Sequence, residues 1–444
     1  MTTSSLPAIA PADVHAVLAR HILADGYDIV FDFEKSHGAW AHDSRAGREY
    51  LDFCTFFASN PIGFNHPRMQ EPHFLEVLHR VAQLKPSLSD FYSVEFAAFV
   101  DTFVRLAKPG HFRYLFFIQG GALAVENALK AAFDWKVRRN RRKGIPGDKG
   151  QQILHFREAF HGRTGYTLSL TNTDPVKTDH FPKFSWPRVD NPKLRFPVTE
   201  EVERDVAAAE ERSLEQIDKA FVDHPDDIAG IIIEPIQGEG GDNHFRKEFF
   251  LALQARAREN DAFLIVDEVQ TGVGLTGRMW AHEHFGLEPD ALAFGKKSQV
   301  CGFMAGPRVD EEPENVFKVS SRINSTWGGG LTDMVRFGRF LEIIHAEALI
   351  ENARVIGDRL LEGLRSLERE TGAFVSNSRG RGLMIAFDLP TPELRKKAHE
   401  RLLAGGLLLL TCGVRSIRFR PPLNLTEAEA DTALEIVRKS LKEL

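Results

Sequence analysis

The sequence predicts an α/β fold: a large domain built on a mostly parallel sheet covered by helices, followed by a smaller α+β domain. Three observations predict it. Over roughly residues 66–340, short β-branched or aromatic runs alternate with amphipathic helical segments, the pattern of a sheet covered on both faces. Two of these segments, Phe263–Gln270 and Ala291–Phe294, begin with an unbroken apolar run of four residues and are bounded by turn residues, as strands buried on both sides are. Beyond about residue 341 the order becomes helix, strand, helix, strand, helix, which suits a small α+β unit.

Taken in order, residues 1–65 read as an N-terminal segment with a helix over Ala12–Ala24 and short strands near Tyr27–Phe33 and Tyr50–Phe57. Residues 66–340 then supply the large domain. Aromatic and β-branched content makes Tyr114–Ile118 and Gln152–Phe156 strands, and the Ala- and Leu-rich stretch Ala122–Lys136 between them a helix. Ile228–Pro235 follows as a strand and Lys247–Glu259 as a helix, before the two buried runs. The segment Asp174–Pro197, rich in Pro, Lys and aromatics, reads as a long functional loop. Residues 341–444 carry helices over Arg354–Glu370, Glu393–Gly405 and Glu427–Leu444, with strands at Gly382–Leu389 and Arg415–Arg420.

Composition narrows the function classes. A chain of 444 residues implies about two or three domains. Its 56 basic and 62 acidic residues give a net charge of −6, and no basic tract with interleaved aromatics occurs, so no nucleic-acid partner is expected. Three scattered cysteines, Cys54, Cys301 and Cys412, have neither metal nor redox spacing and point to a reducing compartment. The first residues show no leader pattern, and Leu407–Leu410 is far short of a membrane span. A soluble, cytoplasmic protein is expected.

The chemistry centres on what the two buried runs deliver. The first ends in Asp267-Glu268-Val269-Gln270-Thr271-Gly272 and the second in Gly295-Lys296-Lys297. As neighbours in one sheet they would bring a carboxylate and an amine to one crevice. That pair suits pyridoxal 5'-phosphate, whose aldehyde condenses with a Lys and whose ring nitrogen an Asp keeps protonated. Either residue alone reads more readily as a helix-capping Asp or a surface lysine; the two together, with their flanking sequence, reverse that reading. The turn Gln119-Gly120-Gly121-Ala122, between a strand and a helix, can offer backbone amides to a phosphate, and the absence of Gly-Lys-Ser/Thr excludes a nucleotide P-loop. Phe160-His161-Gly162-Arg163 offers an aromatic ring to stack and a guanidinium for a carboxylate. Glu239, in Glu234-Pro-Ile-Gln-Gly-Glu-Gly-Gly, is expected on a glycine-flexible loop facing the same crevice, and Arg418 on a strand facing Pro421-Pro422.

Other chemistries fit poorly. Gly272-Val-Gly274-Leu-Thr-Gly277 has the spacing of a dinucleotide site, but the acidic residue expected at the end of the next strand is replaced by Gly295-Lys296. No Gly-x-Ser-x-Gly occurs. The 17 histidines include no His-Glu-x-x-His, and His282-x-His284, the nearest cluster, reads as a solvated helix face, so no metal is expected.

As an ordered set, Gly120-Gly121-Ala122…Asn127, Glu234–Asp242, Asp267–Gly272 and Gly295-Lys296 resemble the class III (ω-amino acid) aminotransferases of PLP fold type I, over roughly residues 12–440. The resemblance implies that Lys296 is the catalytic lysine and Asp267 the partner of the pyridine nitrogen. Gln270 would lie near the ring hydroxyl and the substrate, Phe160 would stack on the ring, and Gly121 and Ala122 would hold the phosphate. Thr326 would reach the phosphate of a neighbouring subunit, making the active protein a homodimer to which residues 1–65 also contribute contacts. Arg163, Gln270, Asn324, Arg418 and Glu239 would contact substrate, with Glu239 gating Arg418. The implied reaction is transfer of the ε-amino group of L-lysine to 2-oxoglutarate. Ornithine, acetylornithine and 4-aminobutyrate remain alternative donors, and a decarboxylase or mutase of the same fold a further reading. Two departures bear on substrate fit: Phe57 is bulkier than expected at the pocket mouth, and Gly330 stands where Asn is expected.

Overall fold

The computed structural model describes residues 9–86, 90–442 and 444. The first eight residues, on which the absence of a leader was read, lie outside them. Seven strands form the main sheet: β1 (Tyr114–Ile118), β2 (Gln152–Phe156), β3 (Arg188–Val189), β4 (Ile228–Ile233), β5 (Phe263–Asp267), β6 (Ala291–Phe294) and β7 (Cys301–Ala305). Their order is β1-β7-β6-β5-β4-β2-β3. Six run parallel, and β7 alone is antiparallel to both its neighbours. The fold is thus α/β with a mostly parallel sheet. Every residue of β4, β5 and β6 is buried, which explains their unbroken apolar character. Helix α1 (Gly121–Arg142) packs its Ala-rich face against this sheet, with Ala124, Ala128, Ala131 and Ala132 all buried.

A second, four-stranded antiparallel sheet is built from Ser376–Arg381, Met384–Asp388, Ser416–Phe419 and Leu410–Cys412, covered by helices Leu349–Thr371, Pro392–Ala404 and Glu427–Lys442. The N-terminal strands Trp40–Asp43 and Arg48–Asp52 form a third sheet with Leu407–Leu408, so the beginning and end of the chain interlock.

Several local expectations need correction. Over Ala12–Ala24 only Pro11–Asp13 and Val14–Leu18 are helical and neither buries a residue, so no packing extends the helix. Tyr27–Phe33 forms no ladder beyond one bridge from Phe31 to Asp43. The strands read as Ile228–Pro235 and Phe263–Gln270 stop at Ile233 and Asp267, leaving the motif residues on loops. Among the described residues, four helices of ten or more residues have no counterpart in the expected elements: Pro72–Gln83, Val94–Leu106, Glu200–Asp223 and Leu331–Ala346, and the short helix Gly165–Leu170 has none either.

The strand expected over Tyr50–Phe57 ends at Asp52 because the next residues turn left-handed. Thr55, Phe56, Phe57 and Ala58 have φ of 46°, 51°, 61° and 65°. Each costs about 1–2 kcal/mol outside glycine. The turn is held by Asp52, whose Oδ1 accepts from the Cys54 and Thr55 amides at 2.8 Å, and by Thr55 Oγ1, which donates to the Arg420 carbonyl at 2.7 Å. It packs against Lys296–Ser298.

Burial drives Asp52 up to about 6, against the opposing bonds from Thr55 and Cys54. Below pH about 4 both folded and unfolded chains hold this proton. As pH rises toward 6 the unfolded chain ionises first, so Asp52 lowers stability through that window and by about 3 kcal/mol above it. Asp52→Asn keeps an acceptor without the titration. Its stability relative to the parent should therefore rise by about 2 kcal/mol from pH 4.5 to 7.5 in urea unfolding. A pH-independent difference would remove Asp52 from this role.

Candidate active site

Parallel pairing of β5 with β6 sets Asp267 opposite Ala293, so Asp267 and the Gly295–Lys296 turn leave the sheet at the same edge. Carboxyl ends of parallel strands are where ligands bind in open α/β sheets. There a cavity of about 310 Å³ is lined by Lys296, Asp267, Phe160, Gln270, Arg163 and the Gly121–Ala122 start of α1. The 22-residue α1 begins at Gly121 with no side-chain cap, leaving its first amides available to an anion. A Cβ on Gly121 would stand 2.9 Å from Val269 Cγ1, so the close approach of the two loops requires glycine.

Charges in the cavity are arranged around Asp267. Its Oδ2 lies 2.7 Å from His161 Nδ1 and its Oδ1 accepts from the Val269 amide at 3.0 Å. Glu234 accepts from the Phe160 and Gly238 amides at 2.9 and 3.1 Å, tying the aromatic loop to the Glu239 loop. Burial, then the neighbouring Asp267 charge, raises Glu234 well above the usual carboxylate range. Burial, reinforced by Arg418, lowers the Lys296 amine from its usual value, which favours the neutral form a nucleophile or base needs.

A second group borders the first. Arg418 is buried, and its NH2 is 3.0 Å from Glu239 Oε2. Gln270 Oε1 accepts from Arg420 Nε at 3.0 Å and NH2 at 2.9 Å. Arg420 also forms a fully buried bidentate pair with Asp242, at 2.9 and 2.5 Å. Breaking such a pair from one side costs about 3–5 kcal/mol, so it is a rigid anchor for Gln270. The second oxygen of Glu239 is 2.5 Å from Lys177 Nζ. Burial pushes Glu239 up, but Arg418 and Lys177 outweigh it and hold its carboxyl below the usual value.

The glycines around Glu239 do not form the flexible loop expected of them. They belong to the hairpin of Ile236–Gln237 and Asn243–His244. A Cβ on Gly240 would lie 2.1 Å from the Glu158 carbonyl oxygen. The Glu239 carbonyl accepts from the Gly413 amide at 2.9 Å, and Arg379 Nε donates to the Asp242 carbonyl at 3.0 Å. Close packing is what these glycines permit. Any swing of Glu239 is confined to its side chain.

The remaining expected site residues fall as follows. Arg163 is exposed at the rim, without an ion-pair partner among the described residues. Asn324 and Thr326 stand on an exposed loop and do not line the cavity of this chain. Phe57 sits in the left-handed turn, 58 % exposed. Gly330 precedes helix Leu331–Ala346, where a Cβ would meet Gln119 Nε2 at 2.9 Å. His282, expected on a solvated face, is buried against Glu268 at 2.9 Å. Among the described residues, no group of three or more His, Cys, Asp or Glu could hold a metal, and no helix is long and apolar enough to cross a membrane.

Sequence reasoning quoted His161 and Glu234 within motifs but gave them no role, and it missed Lys177. The residues present fit pyridoxal phosphate. An amine, a buried carboxylate, an aromatic face and an anion-binding helix start share one cavity, and they match its aldehyde, ring nitrogen, ring and phosphate.

Comparison with known proteins agrees with this geometry. The sequence profile "Aminotransferase class-III" matches residues 22–441. L-lysine-epsilon aminotransferase of Mycobacterium tuberculosis is 52 % identical over 432 residues, covering 97 % of this chain and 96 % of the relative. The enzyme of the same name from Streptomyces clavuligerus is 48 % identical, covering 97 % and 94 %. The solved structure of lysine aminotransferase from M. tuberculosis in the internal aldimine form superposes with a TM-score of 0.96 at 51 % identity, over 98 % of this chain and 100 % of that one. A donor set built for pyridoxal phosphate and a match spanning nearly the whole chain lead to one conclusion: this protein belongs to the class III aminotransferases, and pyridoxal 5'-phosphate is its cofactor.

Proposed function

We propose that the protein transfers the ε-amino group of L-lysine to 2-oxoglutarate. The products are glutamate and 2-aminoadipate 6-semialdehyde, which cyclises to piperideine-6-carboxylate. The observation that carries this reading is the Glu239–Arg418 pair, a carboxylate closed over a buried guanidinium at 3.0 Å and near enough to Lys296 for both charges to act on its amine. Lysine has no carboxylate next to its reacting carbon and 2-oxoglutarate has one, so a site serving both needs a cation it can cover and uncover.

Bound at this site, pyridoxal phosphate supplies a ring that withdraws negative charge from the carbon bearing the transferred amine. Lys296 would hold the cofactor through its amine, and the same amine would take the proton from Cε of lysine and return it on the cofactor side of the transferred nitrogen. Asp267 pairs with the ring nitrogen, with His161 steadying its carboxylate. Phe160 stacks on the ring, Gln270 contacts the ring hydroxyl and the substrate, and Gly121 and Ala122 take the phosphate. Thr326 completes the phosphate site from a neighbouring subunit, which makes the working unit a homodimer. Asn324, on the same exposed loop, contacts substrate. At the rim, Arg163 grips the distal carboxylate of either substrate, while Arg418 takes the carboxylate beside the reacting carbon of 2-oxoglutarate. With lysine bound, Glu239 covers Arg418 so that no buried charge stands alone. We assign residues 66–340 to the large cofactor-binding domain, residues 341–444 to the small domain, and residues 1–65 to the small domain and the dimer contacts. We place the reaction in the cytoplasm.

Glu239→Ala should slow the lysine half-reaction about 10-fold more than the 2-oxoglutarate half-reaction, because only the former leaves Arg418 uncovered. Rapid-mixing absorbance of each half-reaction measures this, and equal losses would remove the gate. The donor is tested by the yellow absorbance of the holoenzyme after separate additions of L-lysine, L-ornithine and 4-aminobutyrate. Fastest bleaching by lysine, reversed by 2-oxoglutarate, supports the proposal. Faster bleaching by another amine transfers it to that donor, a choice that one methylene shifts by only about 1–3 kcal/mol.

A further inference from the structure

Glu239 is held at both oxygens, and the second contact has a use of its own. Lys177 ends the short 3₁₀ turn Pro175–Lys177 in the long loop after Asp174. Its side chain is 14 % exposed. Its Nζ is 2.5 Å from Glu239 Oε1, 3.4 Å from Thr173 Oγ1 and 5.6 Å from the centre of the Phe160 ring. One carboxylate therefore bridges two cations from distant parts of the chain, Lys177 and Arg418.

Building on the gate just described, we propose that Lys177 is a positioning residue that seats Glu239 when 2-oxoglutarate takes Arg418. The hairpin backbone is pinned, so Glu239 cannot retreat to solvent by a loop movement. It can only rotate, and it needs a cation within reach of the rotated carboxylate. Lys177 already holds one of its oxygens.

The charges then balance in the dicarboxylate complex. Arg418 pairs with the substrate carboxylate and Lys177 with Glu239. Without Lys177, uncovering Arg418 would leave Glu239 partly buried and alone, so it would stay on Arg418 and compete with the incoming carboxylate. The lysine half-reaction makes no such demand, because Glu239 keeps Arg418 throughout. Lys177 thus biases the site toward its acceptor substrate.

The test uses the holoenzyme and the variants Lys177→Met and Lys177→Arg. Lys177→Met should raise KM for 2-oxoglutarate about tenfold more than KM for lysine, and Lys177→Arg should recover most of that ratio. Calorimetric binding of glutarate, an unreactive dicarboxylate, should weaken by a similar factor in Lys177→Met. In a Glu239→Gln background, where no charge needs a seat, Lys177→Met should change glutarate binding by no more than about twofold. Equal effects on both substrates would mean that Lys177 contacts substrate directly, and an undiminished effect in the Glu239→Gln background would mean that it acts without Glu239. Either result overturns the proposal. Should Lys177→Met not fold, Lys177→Gln carries the same comparison. Failure of the gate itself is recognised separately, as an unchanged ratio of the two half-reactions in Glu239→Gln alone.

Discussion

Lys296→Ala is expected to lower both half-reactions by at least about 10³-fold, with the purified protein losing its yellow absorbance. The effect is this large because the proposed mechanism gives one amine two tasks, holding the cofactor and moving the proton. The adjacent Lys297 cannot substitute. Its Nζ donates to the Gln270 carbonyl at 2.7 Å, and it is buried in the structure on that bond. Single-turnover absorbance in the presence of added pyridoxal phosphate measures the loss. More than about a tenth of the parent rate remaining would show that another group moves the proton.

Asp267→Asn should follow, with kcat reduced about 10²–10³-fold in both directions and cofactor retention weakened. The amide fills the space of the carboxylate but cannot supply the charge that keeps a pyridine nitrogen protonated, so the ring withdraws electrons less well. His161 Nδ1, 2.7 Å from the carboxylate, then faces a neutral partner. Because the shape is preserved, a fall in kcat with unchanged unfolding behaviour separates chemistry from folding. A loss of less than about tenfold would assign the ring nitrogen to another group.

Some of this was legible in the sequence for identifiable reasons. Strands β5 and β6 could be read because both their faces are buried, which leaves an apolar run without alternation. Helix Lys247–Glu259 matched its expected bounds, since its residues interleave buried Phe249, Phe250 and Leu253 with charge. Helix Glu200–Asp223 was hidden by its length of charged surface, with only Val206, Ile217 and Ala220 as buried apolar residues. Val94–Leu106 was hidden by the phenylalanines that favour strands. Among candidate site residues, Asp267 and Lys296 stand on strand ends that announce themselves. The pairs His161–Asp267 and Lys177–Glu239 join residues far apart in the chain, and no local pattern encodes them. The glycines beside Glu239 have the composition of a flexible loop and the packing of a rigid one, a distinction that only neighbours such as Glu158 and Gly413 can make.

The reversed direction of β7 has a mechanical consequence. In a wholly parallel sheet the segment after β6 would leave on a crossover helix. Here the chain turns within a few residues and re-enters the sheet beside β6, with Phe294 paired to Gly302. Lys296 is therefore tethered at both ends to strands in which every residue is buried. Its backbone has little freedom to drift, while its unbranched side chain keeps every rotatable bond. The anchor works like a fixed bearing and the amine like the arm that turns on it.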